Sequence, residues 1–352
     1  MSIQSLDANR LAKVKRSFTT RRVAEKDMVT LLSDPYPPRV GDLILARVEN
    51  ISQHRRVQLH SGRPAALYEG DEIMVAYGNR YAPDQFEAEL PETMECCHLV
   101  AAGGVASRVL SQHRRMDPPT TIQPLGVIAD GNGQSLNLRQ YALPLVNATI
   151  DVPVVAIVGT CMNSGKTTTA AHAVHGLAKR GHRVGAAKIT GTGAFGDFFS
   201  LTDAGAEWVV DFTDAGFPTT YLLDPLEIEQ VLQTLLSHLK FQGATAIVIE
   251  IADGLYQRET DFLLKSRVFR DNIHTVLMAA QDSLGAAAGA AWLRQNRLPL
   301  RGLSGAMTQS QLACREANAA TRLPVYSTDQ LGAGEVDLLV GCFPRLSLLT
   351  AS

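Results

Sequence analysis

The stretch PVVAIVGTCMNSGKTTTAAHAV, residues 153–174, decides the fold of the second half of the chain. An apolar run stops at Gly159, and Gly165-Lys166-Thr167 follows six positions later, ahead of a segment that suits a helix. A glycine-rich turn from a strand into a helix directs backbone N–H groups at an anion, and the helix dipole adds to the attraction. The stretch therefore predicts a phosphate-binding loop (P-loop). The alternative is a glycine-rich turn with an exposed lysine.

The pattern downstream of this loop indicates the fold class. Apolar strand-like runs alternate with segments of helical character as far as residue 327. Fully apolar strands that alternate with helices indicate a parallel sheet covered on both faces. We therefore predict an α/β fold with a parallel-sheet P-loop NTPase domain at residues 151–352.

The first 150 residues show a different pattern. Residues 36–150 contain short strand-like runs between glycine-bearing turns, which predicts a smaller β-rich, barrel-like domain that precedes the P-loop domain and binds a substrate or partner. Within this domain, residues 98–115 suggest a helix. Residues 1–35 are polar and basic and end at a proline-rich turn, so we predict a solvated basic N-terminal arm.

Composition and charge restrict the classes of partner. The chain has 352 residues, 45% of them apolar, and a formal net charge of −2, which gives no reason to expect nucleic acid or an anionic membrane as a partner. A small-molecule substrate is expected instead. The longest apolar tract, residues 275–293, is interrupted by polar side chains and does not suit a membrane span. The cysteines, at positions 96, 97, 161, 314 and 342, lack paired spacing, so a reducing cytoplasmic location is predicted.

The loop supplies the candidate nucleotide-binding residues. Its backbone N–H groups are expected to surround the β-phosphate, and the Lys166 ammonium to bridge the β- and γ-phosphates. The Thr167 hydroxyl is expected to hold Mg²⁺. The predicted nucleotide-binding set is Gly159, Thr160, Asn163, Ser164, Gly165, Lys166, Thr167 and Thr168.

Two acidic residues are candidates for completing a Mg²⁺ site with Thr167. Glu250 lies at the end of an apolar strand, at the edge where ligands of open α/β sheets bind. Asp197 follows the glycine-rich segment TGTGAFG, where a helix cap is the alternative role. Mg²⁺ prefers oxygen ligands, which both carboxylates provide. The predicted metal ligands are therefore Thr167, Asp197 and Glu250.

Candidate substrate contacts are carried by weaker signals. Asp211 and Asp214 lie at and just beyond the end of a strand-like run, and Asp253 and Arg258 follow Glu250 in ADGLYQRET. Local turns and a surface arginine explain these residues almost equally well. The predicted substrate contacts are Thr190, Thr192, Asp211, Asp214 and Arg258.

Several separate stretches after residue 151 resemble dethiobiotin synthetase and the CobQ-like P-loop enzymes of cobyrinic acid amidation. They are the loop itself, with its first glycine one position early, followed by GAAKITGTG, IVIEIADGL and DSLGAAAGAAWLRQNRLPLRGLSGAM. The resemblance implies that Lys188 lies near the phosphates and substrate and that Glu250 binds magnesium. It also implies ATP-dependent ligase or kinase chemistry and a homodimer.

Three departures from that family's pattern argue against dethiobiotin synthesis itself. Cys161-Met162 stand where the family has Asp-Thr, Ile189 stands where it has proline, and Asp253 stands where it has glycine. The predicted catalytic residues are Lys166, Lys188, Glu250 and Asp253.

A second resemblance is to MobB, a GTP-binding accessory protein of molybdenum cofactor maturation. It is carried by NSGKTT, GHRVGAAK and GDFFSLTDAGAEWVV, although Ile189 stands where MobB has histidine. The chain lacks an Asn-Lys-x-Asp motif, which favours ATP over GTP. The predicted function is a Mg-ATP-dependent enzyme that phosphorylates or activates a small acid or amine. The alternative is a MobB-like accessory protein with little turnover, and a nucleic-acid-associated ATPase ranks last.

Overall fold

The computed structural model describes residues 3–33, 35–146 and 148–340. The chain divides into two compact units. The N-terminal unit comprises Met1–Pro144, Thr190–Asp197 and Asp211–Asp224, and the C-terminal unit comprises Leu145–Ile189, Phe198–Val210 and Pro225–Ser352. The sequence predicted one boundary near residue 150. The first boundary between the units, after Pro144, lies close to that position. The later segments Thr190–Asp197 and Asp211–Asp224, however, also belong to the N-terminal unit.

Strands are the main secondary structure in the described part of the N-terminal unit, with one short α-helix and three 3₁₀ turns before residue 145. The strands are β1 (Ile3–Ser5), β2 (Lys15–Arg16), β3 (Thr30–Leu32), β4 (Leu43–Asn50), β5 (Arg56–Gln58), β6 (Pro64–Ala66), β7 (Glu72–Tyr77), β8 (Arg80–Tyr81), β9 (Phe86–Glu89), β10 (Cys97–Ala101), β11 (Val105–Gln112) and β12 (Thr120–Ala129). The helix is α1 (Ala8–Leu11), and the 3₁₀ turns are Phe18–Thr20, Glu25–Asp27 and Leu138–Tyr141.

The central strands of this unit close into a circuit. β12 pairs with β4, β4 with β7, β7 with β11, β11 with β10, and β10 again with β12. Along β4, Ile44 and Ala46 pack in one buried cluster and Leu43 and Leu45 in another. Because successive side chains point to opposite faces of a strand, both faces of the first half of β4 are covered, and its first four residues, Leu43–Ala46, are all apolar.

The first 35 residues differ from the solvated arm that their composition suggested. β1 pairs with β3, β3 pairs with β12, and β2 pairs with β7. Phe18, Leu31 and Leu32 are buried. These apolar residues are scattered through a basic segment, so its average polarity hides side chains that pack into the fold.

Residues 98–115 form a strand pair instead of the suggested helix. β10 and β11 are antiparallel, and the turn between them places Gly104 at φ 101°, in the left-handed region that favours glycine. The apolar residues of this segment are packed by the sheet, so the helical interpretation is wrong.

His54 makes the stability of the N-terminal unit depend on pH. Burial lowers the pKa of His54 to about 4 from 6.5, and the charge of Arg80 acts in the same direction. As the pH falls from 6.5 towards 4, the unfolded chain gains a proton that the folded chain does not bind, so stability is lost. We expect His54→Gln to lose less stability on acidification than the parent protein in urea unfolding. His60→Gln, at an exposed histidine, is the control; an equal response of both variants would contradict this prediction.

The C-terminal unit contains a six-stranded sheet and most of the helices. The strands are β13 (Val154–Gly159), β14 (Val184–Thr190), β15 (Trp208–Asp211), β16 (Ala246–Ile251), β17 (Thr275–Ala279) and β18 (Leu300–Ser304). The helices are α2 (Lys166–Lys179), α3 (Phe195–Asp203), α4 (Pro225–Gln242), α5 (Arg258–Lys265), α6 (Arg267–Asn272), α7 (Ser283–Gln295), α8 (Gln311–Thr321), α9 (Thr328–Gln330) and α10 (Asp337–Val340), with a 3₁₀ turn at Ala306–Gln309 and a π-helical turn at Leu331–Glu335.

The strand order of this sheet is β15-β14-β16-β13-β17-β18. β13 pairs in parallel with β16 and β17, and β17 pairs in parallel with β18. The predicted α/β fold with a parallel sheet is confirmed. Across the described residues, no helix has both the length and the apolar character needed to cross a membrane.

Candidate nucleotide-binding site

The loop between β13 and α2 has the geometry of a phosphate-binding loop. β13 ends at Gly159, and Gly165, at φ 92°, precedes the first residue of α2, Lys166. The Lys166 ammonium donates to the carbonyl oxygens of Cys161, at 2.7 Å, and Met162, at 3.3 Å. The lysine is therefore folded over the loop at the start of a helix, where an anion is attracted.

Close packing explains why the first glycine of the loop stands at position 159. A Cβ atom at this position would lie 2.3 Å from Ser164 Oγ and 2.7 Å from Lys166 Cγ. Ser164 is fully buried. Only a glycine leaves room for the serine hydroxyl and the lysine stem beside the end of β13.

We expect Gly159→Ala to displace Lys166 and to destabilise the C-terminal unit by about 1–3 kcal/mol, the usual cost of overpacking. Thermal unfolding and nucleotide binding measure the two effects. Gly196→Ala is the control, because no atom lies within 4 Å of the added methyl group. A Gly159→Ala variant as stable as this control would show that the loop adapts to the extra carbon.

Charged side chains from neighbouring strands surround Lys166. Its pKa is lowered by burial, which the charges of Glu250 and Asp253 oppose and the charge of Lys188 reinforces. Glu250, in β16, is buried, and its Oε1 accepts a hydrogen bond of 3.1 Å from Thr167 Oγ1. The structure thus brings together all four predicted catalytic residues and one predicted pair of metal ligands.

Two further segments support the loop from the ends of β16 and β18. A Cβ atom at Gly254 would lie 2.7 Å from the carbonyl oxygen of Thr160. The Ala306 N–H donates to the carbonyl oxygen of Ser164 at 2.9 Å, beside Gly305. Gly254, Gly305 and Ala306 were not predicted as site residues. The sequence feature that could have identified them is the group of small residues that follows each of two apolar strands.

The remaining predicted residues of the C-terminal unit lie at the surface. Asn163 and Thr168 are exposed in the loop and in α2, as expected for groups that meet a ligand. Arg258 is the first residue of α5; its side chain is exposed and lies 3.8 Å from Glu259 Oε1. Its role as a substrate contact stays a prediction.

The other predicted residues lie in the segments Thr190–Asp197 and Asp211–Asp224, which belong to the N-terminal unit. The elements β14, α3 and β15 therefore each have one end in that unit. Thr190 is buried, Thr192 forms an isolated bridge with Thr219, and Asp197 lies in the first turn of α3. Their roles with substrate or Mg²⁺ stay predictions.

Asp211 and Asp214 hold a buried arginine. Arg21 Nη2 lies 3.1 Å from Asp211 Oδ1 and 2.6 Å from Asp214 Oδ2, and Arg22 lies 3.6 Å from the other oxygen of Asp214. The Asp211 N–H also donates to Asp214 Oδ2 at 2.9 Å. Arg21 and Arg22 were not predicted as partners of these carboxylates, since nothing in a basic segment marks which arginines are buried.

Comparison with known proteins shows only distant structural likeness. No protein-family model and no curated protein matches the chain. The 54 kDa protein of the signal recognition particle from Aeropyrum pernix, solved with GDP, is 19% identical with a TM-score of 0.39, covering 56% of this chain and 50% of its own. The signal recognition particle receptor FtsY from Elizabethkingia anophelis is 17% identical with a TM-score of 0.37, covering 58% and 75%. The chain thus spans half the length of the first protein.

Proposed function

We propose that the C-terminal unit binds a nucleoside triphosphate with Mg²⁺, and that the protein uses it to phosphorylate or activate a small acid or amine. The observation that carries the proposal is the position of Lys166. Its buried ammonium lies at the N-terminus of α2, against the loop carbonyls and near two carboxylates. A fixed cation at the N-terminus of a helix, where the helix dipole attracts anions, suits a phosphate chain.

The residues beside Lys166 fit a Mg²⁺ ion. The Thr167 hydroxyl and the Glu250 carboxylate are oxygen donors in contact with each other, and Mg²⁺ takes oxygen ligands together with water. Bound with a triphosphate, Mg²⁺ neutralises charge on the phosphate oxygens. Asp197 stays the sequence-based candidate for a further ligand.

The proposed roles of the other residues follow from their charges. Lys166 and Lys188 provide two cations for the charge on the transferring phosphoryl group. Asp253, whose charge acts on Lys166, is proposed to orient the lysine or the acceptor. The resemblance to dethiobiotin synthetase supports phosphorylation or activation of a small molecule, and it implies a homodimer, which sedimentation measures.

A screen for ADP and GDP release tests the proposal. The purified protein is incubated with Mg²⁺, ATP or GTP, and pools of carboxylates, amines and carbamates, and products are identified by mass. We expect release of nucleoside diphosphate to rise with one class of acceptor and to require Mg²⁺.

Two results would contradict the enzymatic proposal. Equal hydrolysis with every pool, without a new product mass, would indicate an uncoupled NTPase. Tight nucleotide binding with negligible turnover would favour the MobB-like accessory role. Absence of nucleotide binding would contradict both functions.

A further inference from the structure

The N-terminal unit carries the same four residues twice, in two surface loops. Gln53-His54-Arg55-Arg56 leads into β5, and Gln112-His113-Arg114-Arg115 begins at the end of β11. The nucleotide-binding proposal uses neither loop. We define these two segments as the QHRR loops.

In the first QHRR loop, the histidine is turned inward and the arginines are exposed. His54 is buried, its N–H donates to Thr120 Oγ1 at 3.1 Å, and its carbonyl oxygen accepts from the same hydroxyl at 2.9 Å. Arg55 and Arg56, which follow directly, are both exposed. The anchored histidine therefore fixes the backbone from which two exposed arginines extend.

The second QHRR loop is built in a similar way. The His113 N–H donates to the carbonyl oxygen of Gln85 at 2.8 Å, and His113 Nδ1 accepts from the Arg115 N–H at 3.2 Å. Arg114 and Arg115 are exposed. The half-buried histidine again fixes the backbone from which two arginines extend.

The first QHRR loop contacts the residues that follow the second loop, Asp117 and Pro118. The Gln53 N–H donates to the carbonyl oxygen of Pro118 at 3.0 Å, and Gln53 Oε1 accepts from the Asp117 N–H at 3.1 Å. Arg55 also lies 3.8 Å from Asp117, where both side chains are largely exposed. The first loop thus lies next to the chain that follows the second loop, and the arginines of both loops are exposed.

The two QHRR loops have a local excess of positive charge. Residues 50–68 contain three arginines and no acidic residue. Among the described residues, Arg56, Arg114 and Arg115 form no ion pair, and the exposed pair of Arg55 with Asp117 contributes little. Unpaired guanidinium groups suit phosphates, which they bind through two parallel hydrogen bonds.

A cavity of about 270 Å³ lies beside the second QHRR loop. Tyr81 supplies an aromatic ring, and Gln112, His113 and Glu87 supply polar groups. The cavity is slightly smaller than a typical binding site for a drug-sized molecule. A cavity of this volume suits one planar nucleobase. Glu87 accepts a hydrogen bond from Ser111 at 2.8 Å, and a carboxylate here suits a base amino group rather than a phosphate.

We propose that the QHRR loops bind single-stranded nucleic acid, with phosphates on the four arginines and one base in the cavity beside Tyr81. An exposed nucleobase matches the cavity, whereas the bases of a duplex are stacked and paired. A membrane surface would contact the arginines but leave the cavity unused. The net charge of −2 does not oppose the proposal, because basic residues are concentrated in the two loops.

The test measures binding of the full-length protein to fluorescein-labelled single-stranded RNA and DNA about 12 nucleotides long, by anisotropy at several salt concentrations. We expect Arg55→Ala/Arg56→Ala and Arg114→Ala/Arg115→Ala each to weaken binding by about 10-fold. Each pair should also reduce the salt slope by about 1.4, since each lost phosphate contact contributes about 0.7. Tyr81→Ala should weaken binding by about 10-fold without changing the salt slope.

Arg267→Ala/Arg270→Ala is the matched control, because it removes two exposed arginines from α6 and changes the net charge equally. The proposal is overturned if this control weakens binding as much as the loop variants. It is also overturned if no salt-dependent binding of a single strand occurs, or if duplex DNA or phosphatidylserine vesicles bind equally well. Nucleotide binding at Lys166 is measured separately, so the two proposals fail independently.

Discussion

Replacing Lys166 with alanine is expected to weaken binding of a nucleoside triphosphate by on the order of 100-fold or more and to abolish turnover. The Lys166 ammonium is the cation nearest the loop carbonyls, and it lies at the helix N-terminus where the phosphates are proposed to sit. Its loss removes a charge-assisted contact in a site that is shielded from water, where such contacts are strong. Titration with a fluorescent nucleotide measures the affinity, and release of diphosphate measures turnover.

Lys179→Ala is the matched control for this substitution. Lys179 is the last residue of the same helix and is exposed, so its replacement removes an equal charge away from the loop. We expect this variant to bind nucleotide as the parent protein does. If Lys166→Ala bound nucleotide as tightly as Lys179→Ala does, the loop would not be a phosphate site. Thermal unfolding of both variants separates loss of binding from loss of structure.

The P-loop could be predicted from sequence because its signals are local. An apolar strand, a glycine, and Gly-Lys-Thr before a helix lie within one short stretch, and the alternation that follows specifies a parallel sheet. Glu250 could be placed at the site because it lies near the C-terminal end of a buried strand, which is the ligand-binding edge of the sheet. The unusual position of the first loop glycine, Gly159, could also be read from the sequence, but the physical reason for that position could not. The Ser164 hydroxyl and the Lys166 stem fill the space in which a Cβ atom would lie.

The contacts that join distant segments could not be predicted. Arg21 is separated from Asp211 by 190 residues, and no periodicity links two such positions. The packing of the first 35 residues was hidden for a similar reason, because Phe18 contacts Phe195 and the Ser17 N–H donates to the carbonyl oxygen of Met74. The net charge likewise describes a sum over the whole chain. It does not show that Gln53 and Arg55 lie beside Asp117, more than 60 residues later in the chain.

The largest loss of stability is expected from Arg21→Met, about 3–5 kcal/mol. Arg21 is nearly buried, with its side chain 14% exposed, and it contacts two buried carboxylates as well as the ring of Phe18 at 4.1 Å. Methionine fills part of the space but leaves Asp211 and Asp214 with no adjacent buried cation. Removing one partner of a buried ion pair costs more free energy than the intact pair contributes to stability, because the remaining charges are buried and poorly solvated.

Two comparisons distinguish this cause from a simple packing defect. Arg22→Met removes the neighbouring charge, whose side chain is 34% exposed and 3.6 Å from Asp214, so it should cost much less in urea unfolding. Adding Asp211→Asn and Asp214→Asn to Arg21→Met should recover part of the loss, because it removes the unpaired charges. Equal costs for Arg21→Met and Arg22→Met, with no recovery, would indicate that the arginine acts only by filling space.

The pH dependence of the Arg21→Met variant provides an independent check. Burial raises the pKa of Asp214 to about 6 from 3.8, although Arg21 opposes this shift. A carboxyl group with a raised pKa stabilises the folded state most when protonated, and this contribution is lost as the pH rises through 6. Without Arg21 the pKa rises further, so the deficit of the variant should be smaller at about pH 5 than at about pH 7.5. A deficit that stays constant over this range would show that unpaired carboxylates are not its cause.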